Sequence, residues 1–577
     1  MLLPLGPMTV EREWGMGMGT IKRWRHIFLL LVLCAAVYFP SLQNGYIWDD
    51  DQYVYNNPAV TGPGGFDDIW FSHRMPQYYP LVFTLFRIEY MLWGNNPAGY
   101  HAVSLCLHAA NSILLYLVVG NVAPRIAFAA AAMFAVHPLQ VETVAWITEH
   151  KNLLSLFFSL AACLCLLRFY KEARPVCYLG ALLFFLCAML SKSMAAGFAV
   201  VPLAYAYWKN GKVTRGDVAA CIPFLFIGIV FGLHTAWIEV NRVGANGHIW
   251  SMSPAAHLLL ASRIFLFYLY KALVPLEFIF FYPRWKIDIR SLSDWVFFAL
   301  VVAIAAAAFM ARRRTNRSGP VLLFLYAAMI FPALGFFNVY PMRFSFVADH
   351  FSYLASPVIC IMIVAIAFYV ADGIKKAQLL KKEQENSFRW FCRVVTIAIA
   401  VGLCFESRHL VENYRNEITL WKSVIEKNRT SYAAYNNLGA AYGNIGRDRE
   451  AVACFKKAMD LRPDLARHAI NLGNALLNIG EPGRAVPVLE KAVRIAPQNG
   501  QAHHLLAIAY YDVGLFGLAR AHYEKAVKLG ARVKPELAKA IGRMPGKGRR
   551  ISTNLLFPSS TEPTLPHLHL FRDIHGR

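Results

Sequence analysis

"KRWRHIFLLLVLCAAVYFPSLQNGYIWDDD", residues 22–51, decides what kind of protein this is. Lys22, Arg23 and Arg25 stand before an uninterrupted apolar run, and Asp49, Asp50 and Asp51 stand side by side just after it. A mostly apolar run of roughly 20 residues crosses a bilayer as a helix. Basic residues gather on the cytoplasmic side of such a span, so the three acids are expected on the outer side. The run "LVLC" ends at Cys34, but Leu33 is bulky where a cleavage site needs a small residue. An uncleaved signal anchor is the expectation.

The rest of the chain repeats the pattern. Of 577 residues 57% are hydrophobic and 16% charged, against about a quarter charged in an ordinary soluble chain. Further apolar stretches fall at 100–120, 124–137, 150–170, 176–190, 194–208, 217–234, 293–311, 320–338, 349–371 and 389–405, after a first at 26–43. The net charge of +23 does not point to nucleic acid, because its basic residues lie in short links between these stretches. Lys171 and Arg174 recur in this way, as do Lys209, Lys212 and Arg215, then Arg312, Arg313, Arg314 and Arg317, then Lys375, Lys376, Lys381 and Lys382. All of these links fall on the cytoplasmic side if segment 256–282, with Arg263, Lys271 and Pro275, lies at or re-enters the outer surface instead of crossing. The chain is then an integral, multi-pass membrane protein with a cytoplasmic N-terminus. A bacterial inner membrane is the expected setting, with everything after residue 405 periplasmic. The 11 cysteines avoid the outer stretches 44–99 and 338–349, so no disulfide framework is implied.

The C-terminal region repeats with a period of 34: Gly439 and Gly473; Gly446, Gly480 and Gly514; Ala451, Ala485 and Ala519; Ala458, Ala492 and Ala526. That period is the tetratricopeptide signature, a stack of helix pairs. Three repeats run from about 433 to 534, and Trp421, one period before Phe455, marks a connecting half repeat within 406–432. Such an array is a docking surface without chemistry of its own. Asn437 and Asn471 occupy equivalent positions on the first helices of two repeats. Facing the concave groove, their amides would hold an extended acceptor chain by its backbone. The basic segment 535–577, rich in Pro, Gly and Ser, reads as a disordered tail.

Three adjacent acids at a span end repel one another and raise at least one pKa unless a cation or donor compensates. Taken singly, each is most simply a solvated group. Other outer stretches, however, carry His137, Glu142, Glu149, His150 and Lys151, then Lys192, then Arg343, Asp349 and His350. Lys192 on the outer side defies the usual charge bias, and ionisable groups at membrane depth are functional candidates by default. The combination suits transfer of a phosphate-activated group: an acid takes the acceptor's hydroxyl proton, while cations hold the leaving phosphate. Since nucleotide sugars are not at hand on the outer face, a lipid-linked donor is expected.

"GYIWDDDQYVYNNPAV", "YHAVSLCLHAANSILLYL", "FAVHPLQVETVAWITEHKNLLSLFF", "LSKSMAAGFAVVPL" and "VADHFSYLA", followed by the repeats, together resemble the transmembrane and tetratricopeptide-repeat O-mannosyltransferase family over roughly residues 26 to 534. The resemblance implies an all-α architecture, a polytopic GT-C-like glycosyltransferase domain over 26–405 followed by the α-solenoid, and a polyprenyl-phosphate sugar as donor. It places the family's catalytic acid pair on Asp49 and Asp50, with Asn57 downstream. Asp51 is an additional acid, and Asp49 with Asp51 would hold a divalent cation in the manner of some GT-C enzymes. The family commonly has Arg-Lys-Asp where this chain has His150, Lys151 and Asn152, and Lys-Glu where it has Lys192 and Ser193.

The leading expectation is an inverting glycosyltransferase that moves a sugar, mannose by resemblance, onto a protein acceptor docked by the repeats. Asp49 and Asp50 are catalytic, Lys192, Arg343 and His350 face the donor phosphate, and Asp51, His137, Glu142 and Asp349 support them. A membrane-anchored scaffold without catalysis is the alternative, and a transporter a third; the latter would show internal hydropathy symmetry, which is not seen.

Overall fold

The computed structural model describes residues 20–72, 75–247, 250–376, 384–533 and 538–539. Residues 1–19 of the expected cytoplasmic segment, Lys381 and Lys382, and nearly all of the expected tail lie outside them. Every regular element among the described residues is a helix. In a bilayer this is the economical solution, because a helix satisfies its backbone groups within one segment. The chain divides into two compact units, 1–416 and 417–577.

In the first unit eight helices have the length and composition of a span: Thr20–Gln43, Pro97–Val122, Ile147–Glu172, Arg215–Val243, Pro254–Leu273, Leu292–Met310, Ser356–Ile374 and Trp390–Glu412. The stretches expected to span at 176–190 and 320–338 are shorter apolar helices, Pro175–Ser191 and Ser318–Ala333. The one at 124–137 is Ala127–Val136, bent by 57° from Pro138–Ala145. Pro138 explains the break, since proline disfavours helical conformation in the residue before it. The stretch at 194–208 is a 3₁₀ segment, Ser193–Val200, running into the helix Val201–Asn210.

The ends of these helices sort into two faces. Helix Ile147–Glu172 carries Glu149 at one end and Lys171 at the other, about 33 Å apart at 1.5 Å per residue. On the Lys171 side Tyr170 stacks on Tyr205 at 4.6 Å, Lys209 lies over the Tyr205 ring, and Arg317 donates to Trp208 O at 3.4 Å. Three of the basic links therefore meet on one face, opposite the acids. Helix Pro254–Leu273 is long enough to cross, yet both its ends engage the acid-bearing face. His257 bonds Gly335 O at 2.7 Å, beyond the helix that leaves the basic link, and Ala272 O bonds His137 at 3.0 Å. The segment that follows sets Phe281 against Trp48 at 5.5 Å.

Residues 44–99 supply most of a small core on this face, which Tyr100 and Ile147 complete. Tyr53, Val60, Ile69, Val82, Phe83 and Phe86 are buried together, with Tyr53 stacked on Phe83. Arg87 donates to Ala59, Val60 and Gly62 carbonyls, closing the turn. That packing holds the acid-bearing turn in place.

The second unit opens with helix Glu417–Lys427, whose Trp421 is fully buried, and continues as three helix pairs. The first helices are Tyr432–Asn444, Ala466–Asn478 and Gly500–Asp512; the second are Asp448–Leu461, Pro482–Ile495 and Phe516–Lys528. A Cβ at Gly473 would lie 2.4 Å from Leu489, and one at Gly439 2.8 Å from Phe455, so the small residue is what lets each pair close. Gly446, Gly480 and Gly514 take φ near the left-handed values 75°, 75° and 84° that end the first helix of each pair.

Candidate active site

The acid triplet follows a strained turn. Trp48 has φ 49°, a left-handed conformation that costs a bulky residue on the order of 1–3 kcal/mol. Its ring is held edge-on by Phe281 and Phe344 at 5.5 and 6.4 Å. Beyond this turn the three neighbours separate. Asp50 is fully buried and accepts from Ile47 N–H at 2.9 Å, Thr148 N–H at 2.9 Å and Thr148 O–H at 2.6 Å. Asp51 is buried, and its carboxylate accepts from the Gln52 N–H at 2.7 Å. Asp49 is partly exposed, and among the described residues nothing donates to its carboxylate. Burial raises the Asp49 pKa to about 7, with Lys151 pulling it down and the neighbouring acids pushing it up. Burial likewise raises Asp50 to about 7 against the bonds from Thr148 and Ile47.

Facing this turn is a cluster of buried charges. Glu149 is wholly buried and pairs with Lys151 at 3.1 Å and Lys192 at 3.2 Å, while the Asn152 amide donates to it at 2.6 Å. Two ammonium groups on one carboxylate leave a positive charge in excess, which suits a phosphate. Lys151 also lies 5.0 Å over the Tyr53 ring, in the acid-bearing stretch itself. Burial lowers the Lys192 pKa to about 8, offset in part by Glu149, so it is charged at neutral pH. His350 bonds Glu142 through Nδ1 at 2.9 Å, and its backbone N–H reaches the same carboxylate at 3.2 Å. Burial lowers its pKa to about 3, with Glu149 opposing. It is therefore a neutral hydrogen-bonding group and not a cation. Behind Asp50, Glu89 and His150 form another buried pair at 3.1 Å.

Four segments thus bring Asp49, Asp50, Glu142, Lys192, Asp349 and His350 to one face; Asp349 accepts from Tyr282 O–H at 2.8 Å. Glu142 and Glu149 both turn toward His350, though not along one helix, because the extended Trp146 separates Val141–Ala145 from Ile147–Glu149. Arg343 ends the 3₁₀ turn Tyr340–Arg343 and has no ion-pair partner among the described residues. Two expected residues serve the scaffold instead. His137 spends both nitrogens on backbone, accepting from Leu139 N–H and donating to Ala272 O. Asn57 caps a short helix, accepting from Ala59 N–H at 3.0 Å. In the repeats Asn471 donates to Asn436 at 2.9 Å, which in turn donates to Asn437 at 3.3 Å. The Asn471 amide is therefore engaged between repeats, while the Asn437 nitrogen keeps an unused donor. The possible cation site amounts to Asp49 and Asp51 alone. Among the described residues no three His, Cys, Asp or Glu side chains converge as metal ligands.

Glu149 and Lys151 stand in sequence among the ionisable outer residues but without an assigned role, and Thr148 was not singled out. The available signal was a run of polar and ionisable residues, Thr148 to Asn152, opening an otherwise apolar helix.

Fold and site together define a multi-pass helical membrane protein that buries an acid and lysine cluster on one face and carries a tetratricopeptide solenoid. Residues 76–237 match the family described as dolichyl-phosphate-mannose-protein mannosyltransferase, and 432–465 and 470–533 match tetratricopeptide-repeat families. The chain is 24% identical to protein O-mannosyl-transferase F38B6.6 of Caenorhabditis elegans, over 76% of this chain and 63% of that protein. It is 25% identical to protein O-mannosyl-transferase TMTC3 of Mus musculus and of Homo sapiens, over 76% of this chain and 51% and 52% of theirs. The chain is a relative of the transmembrane and tetratricopeptide-repeat O-mannosyltransferases, and its alignment spans between half and two thirds of the length of these three relatives.

Proposed function

We propose that this protein is a membrane glycosyltransferase that moves a sugar, mannose as in the names of its relatives, from a polyprenyl phosphate to a hydroxyl of an extracytoplasmic protein. Asp49 is the base. Its carboxylate takes the acceptor's hydroxyl proton as the oxygen attacks the anomeric carbon. The bond from that carbon to the phosphate oxygen breaks on the opposite side, inverting the centre and releasing polyprenyl phosphate. Lys151 and Lys192 stabilise the charge that grows on the leaving phosphate, Arg343 adds to them, and His350 offers a neutral hydrogen bond. Asp50, held by three donors, fixes the turn and does not itself accept the proton. No step is routed through a cation, since among the described residues no three His, Cys, Asp or Glu side chains converge as ligands.

The observation that carries this reading is the contrast within the triplet: Asp49 is the carboxylate left without a donor, and Lys151 is its strongest opposing charge. The basic links on the far face support a cytoplasmic placement for that side, which sets the site and the repeats outside. The repeats serve as the acceptor dock. The test is transfer in vesicles containing the full-length protein, dolichyl-phosphate mannose and Ser/Thr-containing peptides, with products identified by mass spectrometry. Mannosylated peptide is expected, and a chelator should leave the rate unchanged. No transfer from any polyprenyl-phosphate sugar would leave a scaffold as the better account.

A further inference from the structure

Glu239 belongs to none of the motifs above. It is 2% exposed and begins a π turn, Glu239–Val243, at the end of helix Arg215–Ile238. Single π turns interrupt helices at a cost and recur at functional sites. One carboxylate oxygen accepts from the Gln77 amide at 2.6 Å, and the other from the Tyr340 backbone N–H at 3.0 Å. Gln77 passes the connection on: its own oxygen accepts from the Tyr53 hydroxyl at 2.8 Å. The Tyr53 backbone N–H in turn bonds the Asp49 carbonyl at 3.1 Å. On the other side Tyr340 opens the turn that ends at Arg343 and leads to His350. The orientation of Gln77 follows from these partners, because only its nitrogen can face the carboxylate.

We propose that Glu239 is a positioning residue that locks the stretch bearing Asp49 to the loop bearing Arg343 and His350, and so sets the separation between the base and the phosphate-side groups. The two stretches lie far apart in the chain, with Gln77 and Tyr340 separated by 263 positions, and Glu239 joins them through a single buried group. Its role rests on the transfer reaction proposed above. A misplacement of about 1 Å between reacting groups costs on the order of 10²-fold in rate.

The test uses the full-length protein with dolichyl-phosphate mannose and a Ser/Thr peptide. Glu239→Ala should lower transfer per folded molecule by about 10²-fold, with the donor KM little changed because both lysines remain. Gln77→Glu alone sets two carboxylates face to face and should also be slow. Combining it with Glu239→Gln restores every bond: the new amide donates to the new carboxylate and still accepts from Tyr340, and the carboxylate still accepts from Tyr53. The double variant should therefore recover most of the rate. Loss explained wholly by a smaller folded fraction, or a double variant no faster than Gln77→Glu, would overturn the proposal. If Glu239→Ala does not fold, Gln77→Ala takes its place. Hydrogen exchange at Tyr340 separates the two levels of the account. Faster exchange in the variant supports the joint even in an inactive protein, unchanged exchange removes it, and a wild type without transfer removes the reaction instead.

Discussion

In the repeat array Arg462 meets Asp464 at the surface, two residues along the chain. In the membrane unit Lys192 reaches back across 43 residues to a Glu149 that water does not touch. The first kind of pair is screened and holds long side chains in one geometry for little return, about 0–1 kcal/mol. The second has given up its hydration, so its partners depend on one another, and removing one typically costs about 3–5 kcal/mol. The difference teaches where this chain stores its function. The array spends its sequence on apolar contacts repeated at fixed spacing, while the acid-bearing face holds charges from distant segments against the tendency of each to return to water.

That contrast can be broken at several points. Glu149→Gln leaves Lys151 and Lys192 buried without their shared carboxylate, and we expect a loss of about 3–5 kcal/mol in stability, read as a lower thermal midpoint in detergent. A midpoint equal to that of the wild type would mean that the cluster is hydrated. In the array the sensitive points are apolar. Gly473→Val places atoms against Leu489, and overpacking of this kind costs about 1–3 kcal/mol. Hydrogen exchange across 466–495 should accelerate, while transfer to a short soluble peptide should not change.

The pH dependence of transfer sharpens the same comparison. Asp49 must be ionised to take a proton, so the rate should climb as pH rises through about 7. Lys192 must be protonated to face phosphate, so the rate should fall as pH rises past about 8. A bell with limbs near these values is expected, each limb approaching tenfold per pH unit. A profile flat from pH 6 to 9 would separate both groups from the reaction. The smallest effect is reserved for the array's surface: Arg484→Ala removes an exposed partner of Glu481 and should change stability by at most about 1 kcal/mol.

The two units also differ in how far they could be read from sequence. Gly439, Gly473 and their companions declare the array, because each repeat packs mainly on its neighbours and the spacing is the structure. Apolar lengths likewise indicated the principal membrane helices. They could not foretell the 57° bend at His137, which Pro138 imposes, nor the 3₁₀ course of Ser193–Val200. At the site, the acid triplet was legible, but not the division of labour within it. Asp49, Asp50 and Asp51 are alike as letters, and what separates them is Thr148, 98 residues beyond Asp50. Glu239 escaped for a related reason: it is one charge at the end of an apolar run, and its partners Gln77 and Tyr340 come from other segments. His137 was a candidate by type alone, and the break in the helix claims both its nitrogens.

The claim on which the account turns is that the free acid and the tethered acid do different work. The direct measurement is transfer from dolichyl-phosphate mannose by Asp49→Asn and Asp50→Asn, at matched amounts of folded protein and with thermal midpoints recorded for both. Asp49→Asn should lose about 10²- to 10⁴-fold in rate with its midpoint unchanged, as the loss of a general base implies. Asp50→Asn should lower the midpoint as well, because an amide cannot accept from Ile47 and Thr148 together as the carboxylate does. Wild-type transfer by Asp49→Asn would contradict the account.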